Sequence, residues 1–240
     1  MFLKILIINN SINHAMAILG GINLNRSIVA SIGKNPLDSA MKAKELGADI
    51  LEIRIDLLEV DPEPLINEIK ELGLPIIITN REKHDGGEWD GSEDDRINLL
   101  ISLLPLADGV DIELCAKKRD FVVKKARSLG KTIIVSTHDF EKTPELEFMI
   151  GILEESFAAG ADIAKLAVMA KSLEDVLRLL EATLRSKGDV CTIAMGEKGR
   201  HSRVVAPIYG SVMTYGYVGT AIAPGQLRVD ELKTILNILK

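Results

Sequence analysis

Apolar residues along the chain follow two periods in turn. Short runs rich in Ile and Val, bounded by Asp, Gly, Pro or Lys, read as strands. They cover 27–32, 49–56, 75–79, 108–114, 131–136, 161–168, 189–195 and 212–218. Between them apolar positions recur at helical spacing over 36–47, 63–73, 94–104, 119–130, 144–160 and 172–188, and a last helix covers 230–240. Gly47, Gly73, Gly130, Gly160 and Gly188 close helices, while Pro144 and the Ser172/Asp175 pair open them. Strict strand–helix alternation implies parallel strands joined by crossovers. Eight such units in roughly 210 residues have the size of a (β/α)8 barrel. An open doubly wound sheet would announce itself by a GxGxxG turn after the first strand. The segment here is SIGKNPLDS, without that pattern. The expectation is therefore an α/β protein, a single-domain (β/α)8 TIM barrel over 28–240. Residues 1–27 form an N-terminal extension, hairpin-like or flexible, whose function is not readable.

Composition narrows the partners. The chain of 240 residues is 47% hydrophobic and 27% charged, a soluble globular mixture, and its net charge of −6 argues against nucleic acid. Cys115 and Cys191 make no CxxC pair and stand near no histidine pair, so zinc is not expected; both are read as small buried hydrophobes. The first residues lack the continuous apolar region of a signal peptide or membrane span, which points to the cytoplasm.

In a barrel the chemistry comes from the C-terminal strand ends and the loops after them. Glu52, Arg54 and Asp56 alternate on one face of the second strand, where the lumen would be. Arg81 follows the third strand, and Asp85-Gly86-Gly87 makes a turn. Asp111 and Glu113 share a face of the fourth strand. They are either weak metal ligands or partners for Arg54 or Arg81. The fifth strand delivers Ser136, His138 and Asp139. Lys165 is apolar-flanked in the middle of the sixth strand, where desolvation is costly for an ammonium. Two readings stand side by side: a nucleophilic amine for Schiff-base chemistry, or a buried ion pair with Glu52, Glu113 or Asp139. Arg200 and Arg203 each have the chemistry to bind an anion. The Gly216–Gly225 loop, ending at Gln226, reads as a lid. His84 and His201 read as solvated loop residues, and Trp89 as a packing or lid residue.

The motifs LEIRID, TNRxxxDGG, VSTHDF, DIAKLAV, SRVVAPIYGS and APGQL, in this order and spacing, resemble the type I 3-dehydroquinate dehydratases, a (β/α)8 family of the shikimate pathway toward chorismate. The resemblance runs from about Ile28 to the C-terminus. It implies a commonly homodimeric enzyme without metal or cofactor, acting on 3-dehydroquinate. It assigns Lys165 to the Schiff base, His138 to general acid–base work and Asp85 to orienting that histidine. It places Ser31, Glu52, Arg54 and Arg81 around the substrate, and Arg203 with Gln226 on its carboxylate. Two positions depart from the family. Asp85 stands where Glu is common, implying a looser or water-mediated hold on His138. Ile222 stands where Ser is common, removing a hydroxyl for which Thr220 is a candidate substitute. The alternatives are another Schiff-base barrel such as an aldolase, a ligand-binding barrel without catalysis, and a purely structural domain.

Overall fold

The computed structural model describes residues 17–219, 221 and 223–239. The first part of the N-terminal extension and the positions Thr220 and Ile222 lie outside the described residues. The barrel strands are β1 (Ser27–Ile32), β2 (Ile50–Arg54), β3 (Ile76–Thr79), β4 (Gly109–Glu113), β5 (Thr132–Asp139), β6 (Ile163–Met169), β7 (Val190–Met195) and β8 (Met213–Tyr217). β1 to β7 pair in parallel in chain order, and β8 pairs with β1. A short strand, Leu227–Arg228, adds beside β8. The ends of the sheet meet at the parallel bridge Val190–Ser211, where Val212 N–H donates to Val190 O at 2.8 Å.

The first six crossover helices are α1 (Pro36–Leu46), α2 (Pro62–Lys70), α3 (Glu93–Leu103), α4 (Arg119–Ser128), α5 (Leu146–Ala158) and α6 (Leu173–Arg185). The seventh crossover departs from strict alternation. Its glycines and Pro207 break it into α7 (Gly196–Gly199), α8 (Ser202–Val205) and a 3-10 turn, Ala206–Tyr209. This compact segment carries Arg203 into the interior, where it is 1% exposed. The last helix, α9 (Val229–Ile238), closes the ring.

Period-two alternation sorts the strand side chains. Ile28, Ala30, Ile32, Leu51, Ile53, Ile76, Ile78, Val110, Ile112, Ile133 and Val135 point outward to the helices and form the main core. Inward, the lower layer is apolar: Val29, Ile50, Ile77, Ile134, Ile163 and Met213. The layers above it toward the C-terminal strand ends hold the buried Ser31, Glu52, Thr79, Asp111, Ser136 and Lys165. The lumen is thus sealed below and polar above.

A two-strand antiparallel hairpin, Ile18–Leu19 with Ile22–Asn23, turns through Gly20 and Gly21 at positive φ, as a two-residue hairpin turn requires. Leu19 and the following Leu24 are fully buried against the lower layer. The Thr132 hydroxyl donates to Ile18 O at 2.6 Å, and Asp189 accepts from Ala17 N. These described residues of the extension close the bottom of the barrel.

Two local expectations need correction. β5 continues three residues past Ser136, because Thr137, His138 and Asp139 pair with Leu166, Ala167 and Val168 of β6. Cys115 is exposed on the loop after β4, whereas Cys191 is buried inside β7.

Candidate active site

Lys165 is 4% exposed. Its Nζ lies 2.9 Å from Asp111 Oδ2 and 3.7 Å from Glu52 Oε1, and 4.0 Å from the centre of the Tyr215 ring. The ion-pair partner is thus chiefly Asp111, with Glu52 second. Glu113 is engaged by arginines, and Asp139 turns away to accept from the backbone N–H groups of Glu141 and Lys142. Glu52 is held by the hydroxyls of Ser31 and Thr79 at 2.7 and 3.0 Å.

Asp111 is the hub. Besides Lys165 it accepts from Arg81 Nη2 at 2.7 Å and from the Ser136 hydroxyl at 2.6 Å. Arg81 continues to Glu113 at 3.1 Å, and Glu113 to the fully buried Arg96 at 2.9 Å. Alternating charges are what a dry interior tolerates, since each desolvated ion must find a counter-ion. Burial alone would raise the Asp111 carboxyl, but Arg81 and Lys165 outweigh it and hold it far below the usual carboxylate range. Burial pulls Arg81 down, and Asp111, Glu113 and Asp85 more than reverse this. The two carboxylates of β4 therefore serve arginines and the lysine. Among the described residues, no group of three or more His, Cys, Asp or Glu side chains is arranged to hold a metal ion.

His138 stands one inward-facing position above Ser136, the β5 residue in register with Lys165. That places it about 7 Å further along the strand. Its Nδ1 is 2.7 Å from Asp85 Oδ2. The shorter carboxylate reaches the ring directly, without an intervening water. Burial lowers the imidazole pKa, the Arg81 charge lowers it further, and Asp85 opposes them without prevailing. The ring is therefore neutral near pH 7. With Nδ1–H donating to Asp85, Nε2 carries the basic lone pair. Asp85 itself would be raised by burial, but the His138 hydrogen bond and the charges of His138 and Arg81 bring it below its ordinary value. Phe140 stacks beside His138, with ring centres 6.1 Å apart.

The Gly86-Gly87 pair follows from packing. Gly86 has φ +82°, and a Cβ there would stand 2.3 Å from the Phe140 ring; at Gly87 it would stand 2.0 Å from Arg81 O. A side chain at Gly86 would press on Phe140, which stacks beside His138, and one at Gly87 would press on Arg81.

Arg203 donates to Gly225 O, Tyr215 O and Pro224 O at 2.9–3.2 Å. Burial lowers its pKa to about 10, so it remains a cation at neutral pH. It forms no ion pair with a carboxylate, and two of its five N–H bonds have no partner, among the described residues. A buried cation held by neutral carbonyls in this way has the chemistry to receive an anion. Gln226 adjoins it, with Oε1 accepting from Ala223 N at 3.0 Å. Arg54, half-buried, is gripped by Asp56 through two hydrogen bonds of 2.9 and 2.6 Å.

All nine residues expected at the site, namely Ser31, Glu52, Arg54, Arg81, Asp85, His138, Lys165, Arg203 and Gln226, line a single cleft at the C-terminal end of the barrel. It holds about 600 Å³ of space, counting the part open to solvent. Arg200, the other candidate anion site, is exposed outside it, as are His84 and His201. The cleft also contains Tyr215 and Phe140, which the strand pattern does not single out, and Asp111, Glu113 and Arg96 extend its charge network behind the lining. Asp111 is visible in the sequence as a polar residue alternating with Val110 and Ile112. Arg96 carries no such signal, because an arginine on a helix is ordinarily solvated.

Fold and site together define a class: a (β/α)8-barrel enzyme whose C-terminal mouth joins a buried amine, a neutral imidazole and a buried arginine. A family model for type I 3-dehydroquinase matches residues 27–240. The chain is 53% identical to a 3-dehydroquinate dehydratase of Methanosarcina acetivorans, over 89% of this chain and 95% of that one. It is 52% identical to the Methanosarcina mazei enzyme of that name, over 94% and 100%. A crystal structure of the Geobacillus kaustophilus 3-dehydroquinate dehydratase superposes with a TM-score of 0.87 at 28% identity, covering 94% of this chain and 97% of that one. A Clostridium difficile type I enzyme carrying a covalent comenic acid modification gives 0.87 at 30% identity, covering 94% and 98%. The chain belongs to the type I 3-dehydroquinase family.

Proposed function

We propose that the protein is a hydro-lyase that removes water from 3-dehydroquinate to give 3-dehydroshikimate, with Lys165 forming a Schiff base to the substrate. The observation that carries this reading is the pairing of a buried lysine on β6 with a neutral, carboxylate-oriented histidine one layer above it on β5.

The substrate is a cyclic β-hydroxy ketone with a carboxylate. Arg203 and Gln226 receive the carboxylate, which fixes the ring over Lys165. His138 Nε2 takes a proton from the Lys165 ammonium, Nζ adds to the ketone carbon, and the imidazolium returns the proton to the carbinolamine hydroxyl, which leaves as water to give an iminium. The positive nitrogen draws electron density from the adjacent C–H bond, so a neutral imidazole is a sufficient base. His138 Nε2 takes that proton and the electron pair forms an enamine. The enamine expels the β-hydroxyl, which leaves as water with the proton returned by the imidazolium. Hydrolysis of the conjugated imine releases product and restores the amine. Asp85 keeps Nε2 aimed at the substrate throughout, and Glu52, Arg54, Arg81 and Ser31 supply hydrogen bonds to its hydroxyls.

Borohydride reduction of the protein with 3-dehydroquinate, followed by peptide mass spectrometry, tests this. The expected adduct sits on Lys165 and disappears in Lys165→Ala together with activity. In His138→Ala the adduct persists while turnover falls by about 10²- to 10⁴-fold. Dehydration without any adduct would refute the Schiff base. Adduct formation without turnover would favour a binding barrel, and competition by sugar phosphates an aldolase.

Residues 28–240 are assigned to the catalytic barrel and 1–27 to the extension. The working form is a cytoplasmic homodimer, without nucleic-acid or membrane partners; no helix among the described residues is long and apolar enough to cross a membrane. Support for the dimer comes from α6, where Leu173, Leu177 and Leu184 lie along one side and are each more than half exposed.

A further inference from the structure

Tyr215 projects from β8 into the lumen and is 3% exposed. Its ring face lies under Lys165 Nζ at 4.0 Å. Its hydroxyl has no hydrogen-bond partner among the described residues. A buried phenol without a partner is a net cost in stability, so the resting protein gains nothing from that oxygen. What the residue supplies is the face of its ring.

That face does something the carboxylates beside Nζ do not. Asp111 holds Nζ by accepting an N–H bond at 2.9 Å, and Glu52 attracts its charge from 3.7 Å. The ammonium has three N–H bonds; the iminium made from it has one. The directions in which Nζ can donate to a carboxylate therefore narrow from three to one as the reaction proceeds. Attraction between a cation and the negative face of a ring needs no N–H, and it acts on both forms alike. Resting on the Schiff-base reading above, we propose that Tyr215 is a positioning residue for Lys165, whose ring face holds the nitrogen in place as a cation from ammonium through iminium.

The charged and titratable groups around Nζ are Asp111 from β4, Glu52 from β2, Arg81 beyond β3, His138 on β5 and the buried thiol of Cys191, in register with Lys165 on β7. All are retained when only residue 215 changes, so a change in imine formation reports on the ring. Tyr215→Leu removes the face. Replacement by pentafluorophenylalanine keeps a ring of similar shape and reverses its quadrupole, and Tyr215→Phe keeps the face without the hydroxyl.

The experiment is the yield of borohydride-trapped adduct with 3-dehydroquinate at one pH, together with kcat and KM, for the whole chain. Loss of the face leaves the cationic nitrogen held by the carboxylates alone. The yield of adduct on Lys165 should then fall by about tenfold in the leucine and fluorinated proteins. Their kcat should fall by about tenfold with a smaller change in KM. Phenylalanine should rescue both. If the leucine protein fails to fold, the fluorinated one decides alone. An unchanged yield and kcat there, with the wild-type adduct still on Lys165, overturns the proposal and leaves the Schiff base standing. So does a phenylalanine protein as impaired as the fluorinated one, which would transfer the role to the hydroxyl. Absence of any adduct in the wild type would instead sink the Schiff-base reading itself.

Discussion

At the scale of single residues, Asp111 is the centre of the buried charge network. It is the anion that Lys165 and Arg81 share, so its neutralisation takes the nearest counter-ion from two buried cations at once. Asp111→Asn is expected to cost about 3 kcal/mol of stability or more and to release Lys165 from its nearest counter-ion. Chemical denaturation checks the first effect. A lower yield of trapped adduct checks the second, and an unchanged yield would show that Glu52 suffices to hold the amine. As the proposed base, His138 would set the acid limb of activity. Its pKa is lowered by burial and by Arg81, and the proposed reaction needs it neutral. Activity should therefore survive as pH falls through 6.5, the ordinary histidine value, and decline only below it. A kcat profile with its acid limb above 6.5 would contradict this assignment. Restoring the longer carboxylate by Asp85→Glu tests the fit of the turn, since the aspartate already reaches His138 at 2.7 Å.

At the scale of elements, the strands begin in a repeated way. Asp49, just before β2, accepts from Ile28 N on β1 at 2.8 Å. Asp108, just before β4, accepts from Ile76 N at the start of β3 at 2.9 Å, and Asp162, just before β6, accepts from Ile133 N on β5 at 2.8 Å. Each carboxylate satisfies an N–H near the start of the preceding strand and pins the register of a strand pair. Asp108→Ala should lower stability by about 1.5–3 kcal/mol, the range for a hydrogen bond to a charged group. Its kcat per folded molecule should be unchanged, because Asp108 lies at the strand end opposite the cleft. The turn after β3 behaves in the reverse sense. Gly86→Ala forces a Cβ against Phe140 at a left-handed φ, so kcat should fall along with the melting temperature. Equal kcat in that variant would separate Phe140 from the placing of His138.

The whole molecule couples its charge balance to pH. Asp85 and Asp111 are depressed, and His138 is lowered, so on the acid side the folded chain binds fewer protons than the unfolded one. Stability therefore falls as pH drops, first below 6.5 through His138 and then below 3.8 through the two aspartates. On the alkaline side burial pushes the Cys191 thiol up from 9.0 to about 12, so stability is lost as pH rises above 9.0. Denaturation free energies measured across this range should form a plateau between the two limits. The proposed dimer is also tested at this scale. Light scattering should report twice the chain mass, and Leu177→Glu should halve it if α6 forms the contact.

The barrel and most of its site are legible in the sequence because both obey local rules. Eight apolar runs separated by helical patterns admit few topologies, and period-two alternation by itself assigns Glu52, Asp111, Ser136 and Lys165 to the inward faces of their strands. His138 is legible as a polar residue ending an apolar run, although only the pairing of β5 with β6 shows that the strand continues far enough to carry it. Tertiary structure alone decides which carboxylate meets Lys165. Asp111, Glu113 and Glu52 are equivalent in one dimension, and their distances to Nζ depend on strand register and barrel closure. It alone buries Arg96 and Arg203, since α3 and the broken seventh crossover face inward only once the sheet has closed. It alone brings Tyr215 under Lys165, two residues fifty positions apart in the chain. Periodicity states which face a residue occupies; contact with a residue on another strand follows from how the whole sheet is wound.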